Sequence, residues 1–374
     1  MISYYCTIQR SYRFITLLHY TRINDTMKYT SPNRYSAWKF LILLASFTGV
    51  CLITLLYIYP SLYIQFVPSP KRPPSQGYYV SGNKIYNASN NEYIFKGVSR
   101  PSLEWSAKGD HLSLEDYKLM KSWGFNLVRL PLNQKYWLDD TEEYRARLAK
   151  NIHWIESLDM DVLLDLHWSD RGDSARDAAQ QRMADDNSLT FWTEVATAYK
   201  NDGRVLFELY NEPHDISWNT WQYGGSSGDG FETVGMQDLY DAVRSAGAEN
   251  LVIINGLDWA FDLSQVDTYA IQGYNIVYGT HIYDQPGKRT LADWERSLEK
   301  VMKKYPVIVS EFGNFDCDTS FYKSILSYAK THRLAWVGWA WYPGGCGFPA
   351  LISNWSGESN ALGEELKKML GTSP

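Results

Sequence analysis

"VLFELYNEPHD", residues 205–215, decides how the rest of the chain is read. It starts as an apolar strand and turns polar abruptly, at Asn211, Glu212 and Pro213. A parallel strand buried on both faces reads as a near-continuous apolar run. An acid at its end, wedged between an amide and a stiff proline, is therefore placed for chemistry rather than packing. Such a carboxylate is useful only if it meets a second reacting group, which another strand of the same kind could supply.

Seven more runs have that character: "YIFKGVSR" (93–100), "FNLVRLPL" (125–132), "DVLLDLHW" (161–168), "LVIINGLD" (251–258), "IVYGTHIY" (276–283), "PVIVSEFG" (306–313) and "LAWVGWAW" (334–341). Amphipathic stretches separate most of them, at 114–123, 143–157, 236–246, 291–304 and 319–332. Eight strands alternating with helices predict an α/β fold, a (β/α)8 TIM barrel over 78–371. An open doubly wound sheet is the runner-up, and it would normally carry a Gly-rich phosphate turn after an early strand, which is absent here. Reactive side chains gather at the C-terminal strand ends: Arg129, His167, Asn211 with Glu212, His281 with Tyr283, Glu311, and Trp339. That is the face on which barrel enzymes build their sites.

Glu311, in the apolar run "VIVSEFGNF", supplies the second carboxylate. Two acids flanking a glycosidic bond divide the work: one protonates the leaving oxygen, and the other attacks the anomeric carbon or activates water. Glu208 faces the same way as Glu212 but lies about 13 Å deeper along an extended strand. It is read as a buried structural acid paired with a base.

The bulk numbers narrow the function further. Hydrophobic residues make up 45% and aromatics 15% of the chain, with 15 Trp and 28 Tyr, which suits either a large aromatic core or a ring-lined groove for sugars. Net charge is −6, while residues 1–39 carry six basic side chains against the single acid Asp25. The remainder is more acidic still, which argues against nucleic acid as the main partner. Residues 40–59, "FLILLASFTGVCLITLLYIY", are long enough to cross a bilayer and carry no charge. The expected organisation is a basic tail (1–39), a transmembrane signal-anchor (40–60), a Pro/Ser-rich linker (61–77) and the barrel. The basic flank predicts export of the body. A cleaved signal followed by secretion is the alternative, and Met27 competes with Met1 as the start. No Cys or His cluster has zinc spacing, and no metal or organic cofactor is expected. Cys317 and Cys346 follow the seventh and eighth strands on neighbouring rim loops and are expected to form a disulfide, two free thiols being the alternative.

The motifs "VRLP" (128–131), "LDLH" (164–167), "NEP" (211–213), "HIY" (281–283), "SEFG" (310–313) and "WAWYP" (339–343) occur in order along the body. With that spacing the chain resembles glycoside hydrolase family 5, and its cellulases in particular. The resemblance implies Glu212 as acid/base and Glu311 as nucleophile, with Arg129 keeping Glu311 ionised. It further implies Asn211 bonding the sugar's 2-hydroxyl, Tyr283 donating to Glu311, His281 against Glu212, and His167 helping to bind the sugar. Trp339 would be the platform of the cleavage subsite, and Trp341, two residues on, would face the same side in a regular strand. Trp105, Trp137, Trp168, Trp218, Trp221 and Trp259 are candidates for outer subsites, and Trp123 and Trp154 for core. The implied activity is a retaining, monomeric endo-β-1,4-glucanase acting on β-glucan, its two carboxyl groups about 5–5.5 Å apart. A β-mannanase or other β-glycanase is the alternative within enzymes, and a catalytically silent carbohydrate-binding barrel the alternative outside them.

Overall fold

A computed structural model describes residues 77–139, 141–169 and 180–371. The expected tail, anchor and linker lie outside the described residues, apart from Gly77. Among the described residues no helix is long and apolar enough to cross a membrane.

The chain opens with a hairpin, β1 (Tyr78–Ser81) and β2 (Lys84–Asn87). Eight parallel strands then close a barrel: β3 (Lys96–Ser99), β4 (Leu127–Asn133), β5 (Asp161–Trp168), β6 (Val205–Glu208), β9 (Val252–Asn255), β10 (Ile276–Tyr283), β11 (Val307–Gly313) and β12 (Ala335–Gly338). Each of the eight apolar runs contributes one barrel strand. Two short strands, β7 (Gly225–Ser226) and β8 (Glu232–Thr233), pair within the loop that follows β6.

Helices α1 (Leu114–Trp123), α2 (Gln134–Asp139), α3 (Thr141–Ser157), α4 (Asp186–Tyr199), α5 (Trp218–Tyr223), α6 (Met236–Ser245), α7 (Leu291–Met302), α8 (Thr319–His332) and α9 (Ala361–Leu370) follow in chain order. The connection between β9 and β10 is built of turns instead of a helix. Caps fix where several helices begin. Ser113 accepts from the Asp116 N–H, and Thr290 and Asp293 close a reciprocal capping box at α7.

Alternation along the strands divides the core. Leu127, Leu163, Leu206, Ile253, Val277, Ile308 and Val337 point inward and fill the lower barrel, which Phe95, Tyr78 and Val80 cover from below. Val128, Val162, Phe207, Ile254, Tyr278, Val309 and Trp336 point outward against the helices. Counting two residues on from the inward set reaches Arg129, Asp165, Glu208, Asn255 and Gly279. The apolar floor thus becomes a polar layer one pleat higher. Gly279 is required there, because a Cβ on it would stand 1.8 Å from the Asn255 amide oxygen.

Candidate active site

Arg129, fully buried, is the hub of this layer. Its Nε donates to Glu208 Oε2 at 2.6 Å, and its Nη1 to Glu311 Oε2 at 2.7 Å. Its Nη2 donates to Asn211 Oδ1 at 2.7 Å and lies 3.0 Å from Asp165 Oδ2. A planar guanidinium can serve four partners at once because its donors fan out in a fixed fork. Burial alone would raise the Glu208 carboxyl, but Arg129 and His281 together bring it down to about 2. Asp165 goes the other way: burial pushes it well above the usual carboxylate range. Asp165 Oδ2 also meets Nδ1 of His167 at 2.7 Å, and burial lowers that imidazole, so its neutral form is favoured.

Glu311 reaches the mouth through a local irregularity. On β10, Thr280 and His281 are consecutive, yet their partners on β11 are Val309 and Glu311. The extra residue, Ser310, turns inward and donates to Asn255 Oδ1 at 3.0 Å. A bulge of this kind re-aims the next side chain. Glu311 then accepts from Tyr283 Oη at 2.5 Å on the oxygen that Arg129 leaves open.

Glu212 lies past the end of β6, with its side chain 18% exposed, and its Oε1 is 3.0 Å from His281 Nδ1. His281 is also 3.6 Å from Glu208 and 3.9 Å from Glu311. Burial opposes a charge on that ring, but Glu311, Glu208 and Glu212 outweigh it and raise its pKa to about 9. Burial likewise acts to raise Glu212, and the bond to His281 overcomes it and lowers its pKa. Oxygens of Glu212 and Glu311 and a ring nitrogen of His281 lie within 4.8 Å of one another, a spacing that a cation could bridge. The donors do not suit one. Protonated His281 offers hydrogens rather than lone pairs, and both Glu311 oxygens are engaged by Arg129 and Tyr283.

The sequence model for cellulase, glycosyl hydrolase family 5, matches residues 86–345. The chain belongs to that family. Endoglucanase MaCel5A of Microbulbifer sp. (strain ALW1) is 24% identical over 279 residues, covering 70% of this chain and 50% of that protein. Endoglucanase A of Butyrivibrio fibrisolvens is 23% identical over 248 residues, covering 64% and 52%. The family 5 chain therefore spans about half the length of these curated relatives. The endoglucanase of Paenibacillus polymyxa, 24% identical, is covered to 80%. Among solved structures, the β-glucanase SdGluc5_26A from Saccharophagus degradans superposes with a TM-score of 0.65 at 19% identity, over 82% of this chain and 98% of that one. That structure has also been solved with cellotetraose. The closed eight-stranded barrel is the fold these structures share with the chain.

Around this family 5 centre the structure brings together Arg129, His167, Asn211, Glu212, His281, Tyr283, Glu311 and Trp339. The Trp339 ring lies parallel to His167, with centroids 5.6 Å apart. Trp341 does not join them. Strand pairing ends at Gly338, and the chain then swings outward, so two-residue parity no longer applies. Trp341 is fully buried among the helices, 4.7 Å from the Trp123 ring, with its indole N–H donating to Asp116 Oδ1 at 2.7 Å. Trp137, Trp218 and Trp221 are also core residues rather than subsite rings. Trp221 donates to the Asn255 carbonyl at 2.9 Å, and Trp137 to Glu194 at 2.9 Å.

Trp105 is half-buried and meets Tyr342 and Phe348 edge-on, and Phe348 in turn touches Trp339, so a line of rings leaves the cleft. Trp168 is half-buried, and Trp259 is 44% exposed. Trp123 is core, while Trp154 is half-buried under Lys150. Cys317 and Cys346 form a disulfide.

Sequence reading missed Asp165, Gln180, His214 and Asn255. Gln180 accepts from Asn211 Nδ2 at 3.1 Å and donates to the Glu212 carbonyl at 3.0 Å. Asn255 Nδ2 meets Glu208 Oε1 at 2.6 Å. The inward parity of Asp165 and Asn255 at the pleat above the apolar floor was a usable signal for those two. Gln180 and His214 lie in loops and carried none.

Proposed function

We propose that this family 5 chain is a retaining endo-β-1,4-glucanase, with Glu311 as nucleophile and Glu212 as acid/base. The observation that carries the reading is the separation of the two carboxylates, oxygens of which lie within 4.8 Å. Retaining enzymes hold the pair about 5–5.5 Å apart, whereas inverting ones leave about 6.5–9.5 Å for a water. In the first step a Glu311 oxygen bonds to the anomeric carbon as the bond to the leaving oxygen breaks, and that oxygen takes a proton from Glu212. His281, 3.0 Å from Glu212, shares the proton that the acid delivers. In the second step water attacks the same carbon, Glu212 accepts its proton and Glu311 is released. Arg129 and Tyr283 occupy the two Glu311 oxygens and hold the carboxylate in one orientation. Asn211, fixed by Arg129 and Gln180, keeps an amide hydrogen for the sugar's 2-hydroxyl. Trp339, against His167, offers a flat face for the ring being cleaved. The disulfide and the uncharged run at 40–59 support a site of action outside the cytoplasm.

The test is reducing-sugar release from carboxymethylcellulose and mannan by the purified protein, with proton NMR of the first product formed. The β-anomer should appear first on the glucan. Glu212→Gln should lower the rate by about 10²–10⁴-fold, and Glu311→Gln by at least as much. Mannan cut faster than cellulose derivatives would overturn the substrate, and an α-anomer appearing first would overturn the mechanism.

A further inference from the structure

The turn after β9 is held in an unfavourable backbone conformation beside the acid. Asp258, Trp259 and Ala260 have φ of 56°, 58° and 61°, three consecutive non-glycine residues in the left-handed region. Such a run persists only where its surroundings over-determine it. Here they do: the Trp259 N–H donates to the Pro213 carbonyl at 3.0 Å, and the His281 N–H to the Ala260 carbonyl at 3.3 Å. Lys288 Nζ donates to the Asp258 carbonyl at 2.6 Å. The effect is to present a large apolar ring to solvent immediately next to Glu212–Pro213.

Underneath that ring lies His214. The two rings are 3.6 Å apart at 9°, and His214 is buried. Its Nδ1 is 2.8 Å from the Glu212 carbonyl oxygen, which can only accept, so Nδ1 carries the proton. His214 therefore touches the backbone of the acid with one atom and the face of Trp259 with the whole ring. Its own N–H is anchored on the Arg182 carbonyl at 3.1 Å.

We propose that His214 is a positioning residue that fixes the Trp259 ring at a set height beside Glu212, so that a sugar on the leaving-group side stacks with its glycosidic oxygen aligned to the acid. The inference rests on the proposed glucanase reading. It predicts a dependence on the leaving group that a structural role would not produce. A sugar leaving group needs both the platform and the proton, whereas dinitrophenolate is small and departs without a proton.

The experiment compares kcat/KM of wild type, His214→Ala, His214→Phe and Trp259→Ala on cellotetraose and on 2,4-dinitrophenyl β-cellobioside, with Tm recorded for each. His214→Ala and Trp259→Ala should lose about tenfold on cellotetraose while staying within about twofold on the aryl substrate. His214→Phe keeps a flat ring under Trp259 and should recover most of the loss; it also keeps the test available if the alanine variant does not fold. Equal loss on both substrates, no loss on cellotetraose, or a phenylalanine variant as impaired as alanine would each overturn the proposal. Wild-type turnover of cellotetraose, the reference for every ratio, tests the glucanase reading separately.

Discussion

Arg129 binds Glu208, Glu311, Asn211 and Asp165 without any contact to solvent, so the acid at the bottom of the polar layer and the acid at its mouth are joined through one cation. Glu208 is thus tied through Arg129 to Glu311, the proposed nucleophile. Glu208→Gln removes one anion from a buried network and is expected to cost about 3 kcal/mol of stability, measured by denaturant unfolding. Activity of the folded fraction should fall far less than for Glu311→Gln; a stable but inactive Glu208→Gln protein would contradict this. The same network sets the pH dependence of stability. Glu208, held at about 2 against a usual 4.5, contributes fully above pH 4.5 and loses that contribution as the pH falls towards 2. His281, raised from 6.5 to about 9, contributes fully below pH 6.5 and loses it as the pH rises through 9. Asp165, pushed up by burial, leans the same way as His281. Thermal midpoints should therefore fall steadily from pH 6.5 to 9; a rise across that interval would refute the assignment.

At the scale of the element, two strand ends decide which side chains enter the cleft. In β11 the extra residue, Ser310, keeps the inward parity of Ile308, and the register shift it makes turns Glu311 to the mouth; the exit of the chain from β12 sends Trp339 and Trp341 to opposite destinations. The second case separates cleanly by mutation. Trp341→Ala should empty a packed site and cost about 3–5 kcal/mol of stability. Trp339→Ala, at the cleft, should instead raise KM for oligosaccharides with a smaller change in Tm. If Trp341→Ala weakened substrate binding and left the midpoint unchanged, its placement in the core would be wrong. The strands themselves were legible because a buried parallel strand is a continuous apolar run whatever its neighbours. Helices α1 and α8 were read to the residue for a similar reason, since caps and apolar periodicity are local signals. The short α2 and α5 escaped notice, being a turn or two long with too little periodicity to read, and the longer α4 and α9 were not singled out either.

For the molecule as a whole, closure of the barrel brings strand ends from all around its circumference to one rim, and the Cys317–Cys346 bridge ties together the loops after β11 and β12 on that rim. The link spans 29 residues, and its reduction is expected to cost about 3 kcal/mol by releasing loop entropy in the unfolded chain. Differential scanning with and without reductant would measure this; identical midpoints would show that the bridge adds no stability. By itself the sequence determined the barrel, its eight strands and the family, and it pointed to the two carboxylates, because apolar runs ending in polar residues are properties of contiguous chain. Only the tertiary structure decided that Arg129 serves four partners, that Trp341 is core, and that Gln180 and His214 stand beside Glu212. Those are meetings of residues remote in sequence, set by where strands bulge or end and how loops return, and no local pattern encodes them.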